Sequence, residues 1–144
     1  MPDDPTPVGG FRFQVHIVEI GPRGGARTAV ELDVQQVVLP TFVGRAAVPV
    51  EPGPRADDHL VLRRGHTGSP YFYDWWDQER NPKFRGSRSV DVTLLDRDLR
   101  PMTIWRFSGC RLASFSYSAL DALESAVLME MAAIDFATVA QSAA

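Results

Sequence analysis

A two-residue alternation of apolar and polar side chains, renewed along most of the chain, restricts the fold more than any other feature. Phe11, Phe13, Val15 and Ile17 point one way while Arg12, Gln14 and His16 point the other, the pattern of a half-buried strand. Gly21-Pro22-Arg23-Gly24-Gly25 supplies turn residues, and Val30, Leu32 and Val34 then alternate with Glu31, Asp33 and Gln35. These two segments form an antiparallel pair. Val90, Val92 and Leu94 alternate again, Asp96 to Pro101 turns, and Thr103, Trp105 and Phe107 share a face of the returning strand. Leu112 to Tyr117 reads as a further short strand with Phe115 and Tyr117 on one side. The expected fold is mainly β, a small antiparallel β-barrel or sandwich.

One segment breaks the alternation. Leu60 and Leu62 share one face of a short strand, Val61 and Arg63 the other, and Arg64-Gly65 stops the ladder at a turn. Ser69 is placed as a helix N-cap with Pro70 at the first helical position. The spacing predicts a helix over Tyr71 to Glu79, with Phe72 and Trp75 or Trp76 on its apolar face and Asp74, Asp77 and Gln78 opposite. An aromatic stripe of this kind packs a core. One flanking α-helix is therefore added to the β fold.

Pro40 to Asp58 carries Pro40, Pro49, Pro52 and Pro54, too many prolines for a central strand. Phe42, Val43, Val48 and Val50 lie between them, which makes this a long extended loop that docks on something. Residues 1–10, rich in Pro, Asp and Gly, are expected to be a mobile arm. Arg80 to Arg88 is basic and turn-rich, a charged surface loop. At Ala119 to Ala133 propensity alone gives helix. Val127, Met129 and Met131 nevertheless alternate with Leu128, Glu130 and Ala132, and a strand over about Glu124 to Ile134 is preferred.

A chain of 144 residues, 44% hydrophobic and 23% charged, has material for one core, so residues 1–144 are read as a single domain. A formal charge of -3 with a pI near 5.5 gives no clustered basic face for specific nucleic-acid binding. No apolar run approaches the length of a membrane-spanning helix, and the start of the chain has no basic segment ahead of an apolar stretch, so neither membrane insertion nor export is expected. Cys110, the single cysteine, sits in an apolar stretch and is expected to be a buried thiol.

Chemistry leaves no local motif. His16, His59 and His66 lack ligand spacing, so no metal or cofactor is expected. The glycines at 21 to 25 lack a phosphate-loop lysine and join two strands. No Gly-x-Ser-x-Gly elbow appears, and Ser114, Ser116 and Ser118 lie along the outward face of a strand. The carboxylates of Asp57-Asp58 and of Asp96 and Asp98 fall in loops. A non-enzyme is expected. A monomeric ligand-binding β-barrel with an aromatic pocket stays open as an alternative, and an enzyme with dispersed catalytic groups ranks last.

Leu62-Arg63-Arg64-Gly65, then Trp75-Trp76, the charged stretch Asp77 to Arg88, Val90-Asp91-Val92-Thr93-Leu94-Leu95-Asp96 and Ile104-Trp105-Arg106-Phe107 follow one another in order. With Phe11 to Val15 ahead of them and Glu124 to Glu130 after, this succession resembles the tube-protein family of contractile phage tails and phage-tail-like contractile injection systems. The resemblance implies a closing C-terminal strand and homohexameric rings stacked around a lumen for DNA or protein cargo. It also implies sheath and baseplate or cap proteins as partners, and assembly in a bacterial cytoplasm into a virion tail or tail-like particle. Phe42, Val48, Val50, Arg63, Arg64, Arg85 and Arg88 are the expected subunit contacts. Family subunits commonly carry Gly-Leu near the end of the second strand and His-Glu-Gly near the C-terminus, where this chain has Val37-Val38-Leu39 and Ile134-Asp135-Phe136. The repeating tube subunit and a specialised ring at the baseplate or cap end both remain open.

Overall fold

The computed structural model describes residues 12–42, 58–123 and 127–144. The expectations for the arm at residues 1–10 and for Val43, Val48 and Val50 of the proline-rich excursion lie outside the described residues. Strands β1 (Arg12–Ile20), β2 (Ala26–Leu32), β3 (Gln36–Val38) and β4 (Leu60–Gly65) precede helix α1 (Tyr71–Glu79). Strands β5 (Ser87–Leu95), β6 (Pro101–Tyr117), β7 (Met129–Asp135) and β8 (Thr138–Ala143) follow it. Every pairing is antiparallel, in the order β2-β1-β5-β6-β7-β4-β3 with β8 on β6. The mainly β fold with one helix is as expected, and the path of strands is open, with β2 and β3 at its ends.

The alternation in the sequence becomes the inside and outside of this sheet. Val15 and Ile17 of β1, Val90 and Val92 of β5, and Leu60 and Leu62 of β4 are buried in one core, joined by Ala132 and Ile134 of β7. The Gly21 to Gly25 turn closes on itself, Gly24 N–H to Gly21 O at 3.0 Å and Gly21 N–H to Gly25 O at 2.9 Å.

Strand β6 is the hinge of the architecture. Leu112 to Tyr117 is not a separate strand; it continues the strand that begins at Pro101, giving 17 residues in one element. Its first part pairs with β5 and β8, and its last part, from Arg111, pairs with β7. One register runs along its β7–β8 side, from Arg111 opposite Asp135 to Ser108 opposite Thr138. At the passage from one partner to the next stands Gly109, with φ +65°, where an added Cβ would lie 2.8 Å from Cβ of Ala137. Only glycine meets both demands, left-handed backbone and close approach.

Helix α1 fills the space that opens once β5 has left β6. Phe72 and Trp75, both fully buried, point into the core, and burial of side chains this size is worth about 1.5–3 kcal/mol each. Trp76 stays outside at 40% exposure, so of the two tryptophans it is Trp75 that packs. Ser69 does not cap the helix: Pro70 holds the N-cap position with no side-chain hydrogen bond. At the other end the Glu79 carboxylate accepts from the backbone N–H of Leu112 at 3.1 Å and from the indole N–H of Trp75. A side chain thus covers one of the β6 backbone donors that no strand reaches.

The C-terminal segment is a strand, as preferred, beginning at Met129, with residues 124–126 outside the described part. Pairing with β4 on one side and β6 on the other overrides the helical propensity of its Ala, Met and Glu residues.

Candidate assembly surfaces

Strand alternation carries Arg64 to the same inward face as Leu60 and Leu62, and Glu130 to the same face as Ala132 and Ile134. The two stand directly opposite in the β4–β7 ladder. Arg64 Nε donates to Glu130 Oε2 at 2.6 Å, with the side chains only 5% and 1% exposed. Arg64 Nη2 donates to the carbonyl of Ser69 at 2.7 Å, and its guanidinium lies 4.9 Å from the centre of the Phe72 ring. His66 Nδ1 meets the other Glu130 oxygen at 2.9 Å. Partial burial, together with the Glu130 charge and hydrogen bond, raises the pKa of the Tyr117 hydroxyl. One carboxylate therefore ties β4, β6, β7 and the start of α1 together.

Arg88 is the second interior cation. Its Nη2 donates to Gln78 Oε1 at 2.7 Å and to Glu19 Oε1 at 3.3 Å, and the guanidinium lies 4.8 Å from the Trp75 ring. It forms the floor of a surface pocket of about 310 Å³ bounded by the β1–β2 turn and the loop before β5. Among the seven expected contact residues, Arg64 and Arg88 are thus enclosed within the subunit. Opposite-charge residues of matching strand parity, Arg64 and Glu130, were the signal for the first of them. Phe42 is 58% exposed, and Arg63 and Arg85 are also on the surface, while Val48 and Val50 lie outside the described residues. Arg63 Nη1 reaches Gln36 Oε1 at 3.3 Å across the outer face of the β3–β4 pair.

The described surface also carries an aromatic stripe. Tyr73 lies 5.7 Å from Trp76, Trp76 6.3 Å from Phe115, and Phe115 5.5 Å from Tyr117, measured between ring centres. It runs from the outer side of α1 to the part of β6 that β5 does not pair. The aromatic centre of the fold, by contrast, is filled by Phe72, Trp75 and Phe107, each fully buried. Among the described residues no group of three or more His, Cys, Asp or Glu side chains is placed to hold a metal ion, and no helix is long and apolar enough to cross a membrane. Cys110, buried as expected, donates its thiol to Phe107 O at 3.3 Å, and burial pushes its pKa up to about 12.

Among the described residues the chain folds as an open antiparallel sheet with a filled core and an outward aromatic stripe. Its fold is shared with components of contractile injection systems. A chain in the baseplate of the anti-feeding prophage superposes with a TM-score of 0.74 at 19% identity, covering 95% of this chain and 96% of that one. A chain of the cap that terminates the anti-feeding prophage tube gives 0.65 at 15% identity, covering 100% and 96%. A chain of the sheath–tube complex of PVC, an extracellular contractile injection system, gives 0.64 at 16% identity, covering 97% and 94%. No curated protein sequence matches the chain. The chain belongs to the family of the T4-like virus tail tube protein gp19, whose model matches residues 9–140. It is tail-tube-like by family and by fold.

Proposed function

We propose that this protein is a structural subunit of the inner tube, or of the specialised ring at the tube's baseplate or cap end, in a contractile phage tail or contractile injection system. Copies form homohexameric rings that stack around a lumen for DNA or protein cargo, with sheath and baseplate or cap proteins as further partners. The observation that carries this reading is the family match over residues 9–140. The position of β2 and β3 at the ends of the sheet, with no further strand beside them among the described residues, supports it, because unpaired strand edges invite association and a ring removes them. Phe42, Arg63 and Arg85 act as contacts on the subunit surface, together with Val48 and Val50 of the proline-rich loop. Arg64 and Arg88 hold those surfaces in place from within. On this reading the protein is a structural element that needs no cofactor, catalysis or membrane insertion, and it assembles in the bacterial cytoplasm.

Negative-stain electron microscopy of the concentrated protein, alone and coexpressed with its sheath and baseplate proteins, tests this. Long hollow tubes identify the repeating subunit; isolated pored rings identify an initiator or cap ring. Absence of both in the coexpressed sample overturns the proposal.

A further inference from the structure

The loop between α1 and β5 is exposed yet internally fastened. Asn81 N–H donates to Gln78 O at 3.2 Å, Phe84 N–H to Asn81 O at 3.0 Å, and Lys83 N–H to Asn81 Oδ1 at 3.0 Å. Arg85 Nη1 donates to Pro82 O at 2.7 Å and to Phe84 O at 3.1 Å. Gly86 then presses the loop against β1, where an added Cβ would lie 2.8 Å from Ile20 O. Lys83 and Arg85 are therefore exposed on a loop already held by its own hydrogen bonds, so little conformational entropy is lost when it docks.

At the far end of β1 the surface has the opposite character. Strand β2 parts from β1 after Leu32 pairs with Val15, and a groove of about 270 Å³ opens beside Phe13 and Gln14. Leu32 and Val34 contribute apolar lining, Glu31 and Asp33 contribute carboxylates, and among the described residues no cationic side chain lines it. His16 Nε2 lies 4.0 Å from Glu31 Oε2, and the Glu31 side chain is still 62% exposed. From Phe13 to Ile20 the strand rises about 3.3 Å per residue, so groove and loop are separated by about 23 Å. They cannot meet within one molecule.

We propose that the groove between Phe13 and Val34 receives the Lys83–Arg85 loop of a second copy of this chain, Glu31 and Asp33 pairing with Lys83 and Arg85. Charge complementarity favours this occupant over the chain's own first eleven residues, which carry Asp3 and Asp4 and no cationic side chain. Two different surfaces at opposite ends of one sheet make a head-to-tail contact, which repeats from copy to copy until a ring closes or a stack grows. The contact deepens the proposed function and rests on it only for the identity of the assembly.

Lys83 is the single lysine of the chain, which makes the test direct. A mixture of isotopically heavy and light protein is treated with a zero-length carbodiimide, which joins amines to carboxylates in contact, and the products are mapped by mass spectrometry. Lys83 linked to Glu31 or Asp33, in peptides pairing heavy with light chains, is the expected result, and Glu31→Gln with Asp33→Asn removes it. Lys83 coupled only to other carboxylates, no Lys83 link at all, or Glu31 and Asp33 linked instead to the chain's terminal amine overturns the proposal. Electron microscopy of the same sample separates the two readings: rings without the link leave the ring assembly standing and remove this contact. The link without rings does the reverse.

Discussion

Arg64 and Glu130 face each other across the β4–β7 ladder with 2.6 Å between Nε and Oε2, a charge pair enclosed in the core of a β protein. Removing one partner leaves the other charge buried and unpaired. Glu130→Ala is expected to cost about 3–5 kcal/mol in urea unfolding, whereas Arg64→Met combined with Glu130→Leu recovers most of that loss. A double variant as unstable as the sum of the two single variants would show that the pair is not coupled.

Gly109 is expected to tolerate no side chain. Gly109→Ala combines a left-handed backbone angle of +65° with a clash against Ala137, and should lower stability by about 1–3 kcal/mol. Adding Ala137→Gly removes the clash and leaves the backbone strain, so thermal unfolding of the double variant should lie between Gly109→Ala and the parent.

The Cys110 thiol makes stability depend on alkaline pH. Burial raises its folded-state pKa from 9.0 to about 12, so above pH 9 the unfolded chain releases a proton that the folded chain keeps. The stability present below pH 9 is therefore lost progressively as pH rises toward 12. Burial raises Tyr71 in the same direction, so the cysteine contribution is read as a difference between variants. Urea midpoints at pH 7 and pH 10.5 should fall further for the parent than for Cys110→Ala. A thiol reagent at pH 8 should modify Cys110 only in the unfolded protein.

Phe42, 58% exposed at the start of the proline-rich excursion, is expected to serve assembly and not folding. Phe42→Asp should leave the circular dichroism spectrum and thermal midpoint of the subunit unchanged while preventing tube growth in the electron microscope. Normal tubes from the variant would remove Phe42 from the contact set.

Much of the fold could be read from residue order because strand periodicity is local. Val15 and Ile17, Val90 and Val92, and Leu60 and Leu62 all went inward as their alternation indicated. The helix boundaries followed from Pro70 and the spacing of Phe72 and Trp75, although the N-cap role assigned to Ser69 did not hold. Its carbonyl is instead taken up by Arg64, a contact that depends on where β4 and α1 meet in space. The same holds for the extension of β6 through Gly109: a run of residues does not disclose that one strand will serve two sets of partners.

The candidate contact residues divide along the same line. Charge by itself marked Arg63, Arg64, Arg85 and Arg88 alike as surface. Strand parity placed Arg64 and Arg88 inside and left Arg63 out, while Arg85 is exposed on the loop before β5. Alternation and turn chemistry in the sequence determined an antiparallel β chain with one aromatic helix, because each depends on neighbours a few residues away. Which charges are enclosed, where the sheet stays open and which two ends carry complementary groups were decided only by tertiary structure, because each depends on residues brought together from distant parts of the chain.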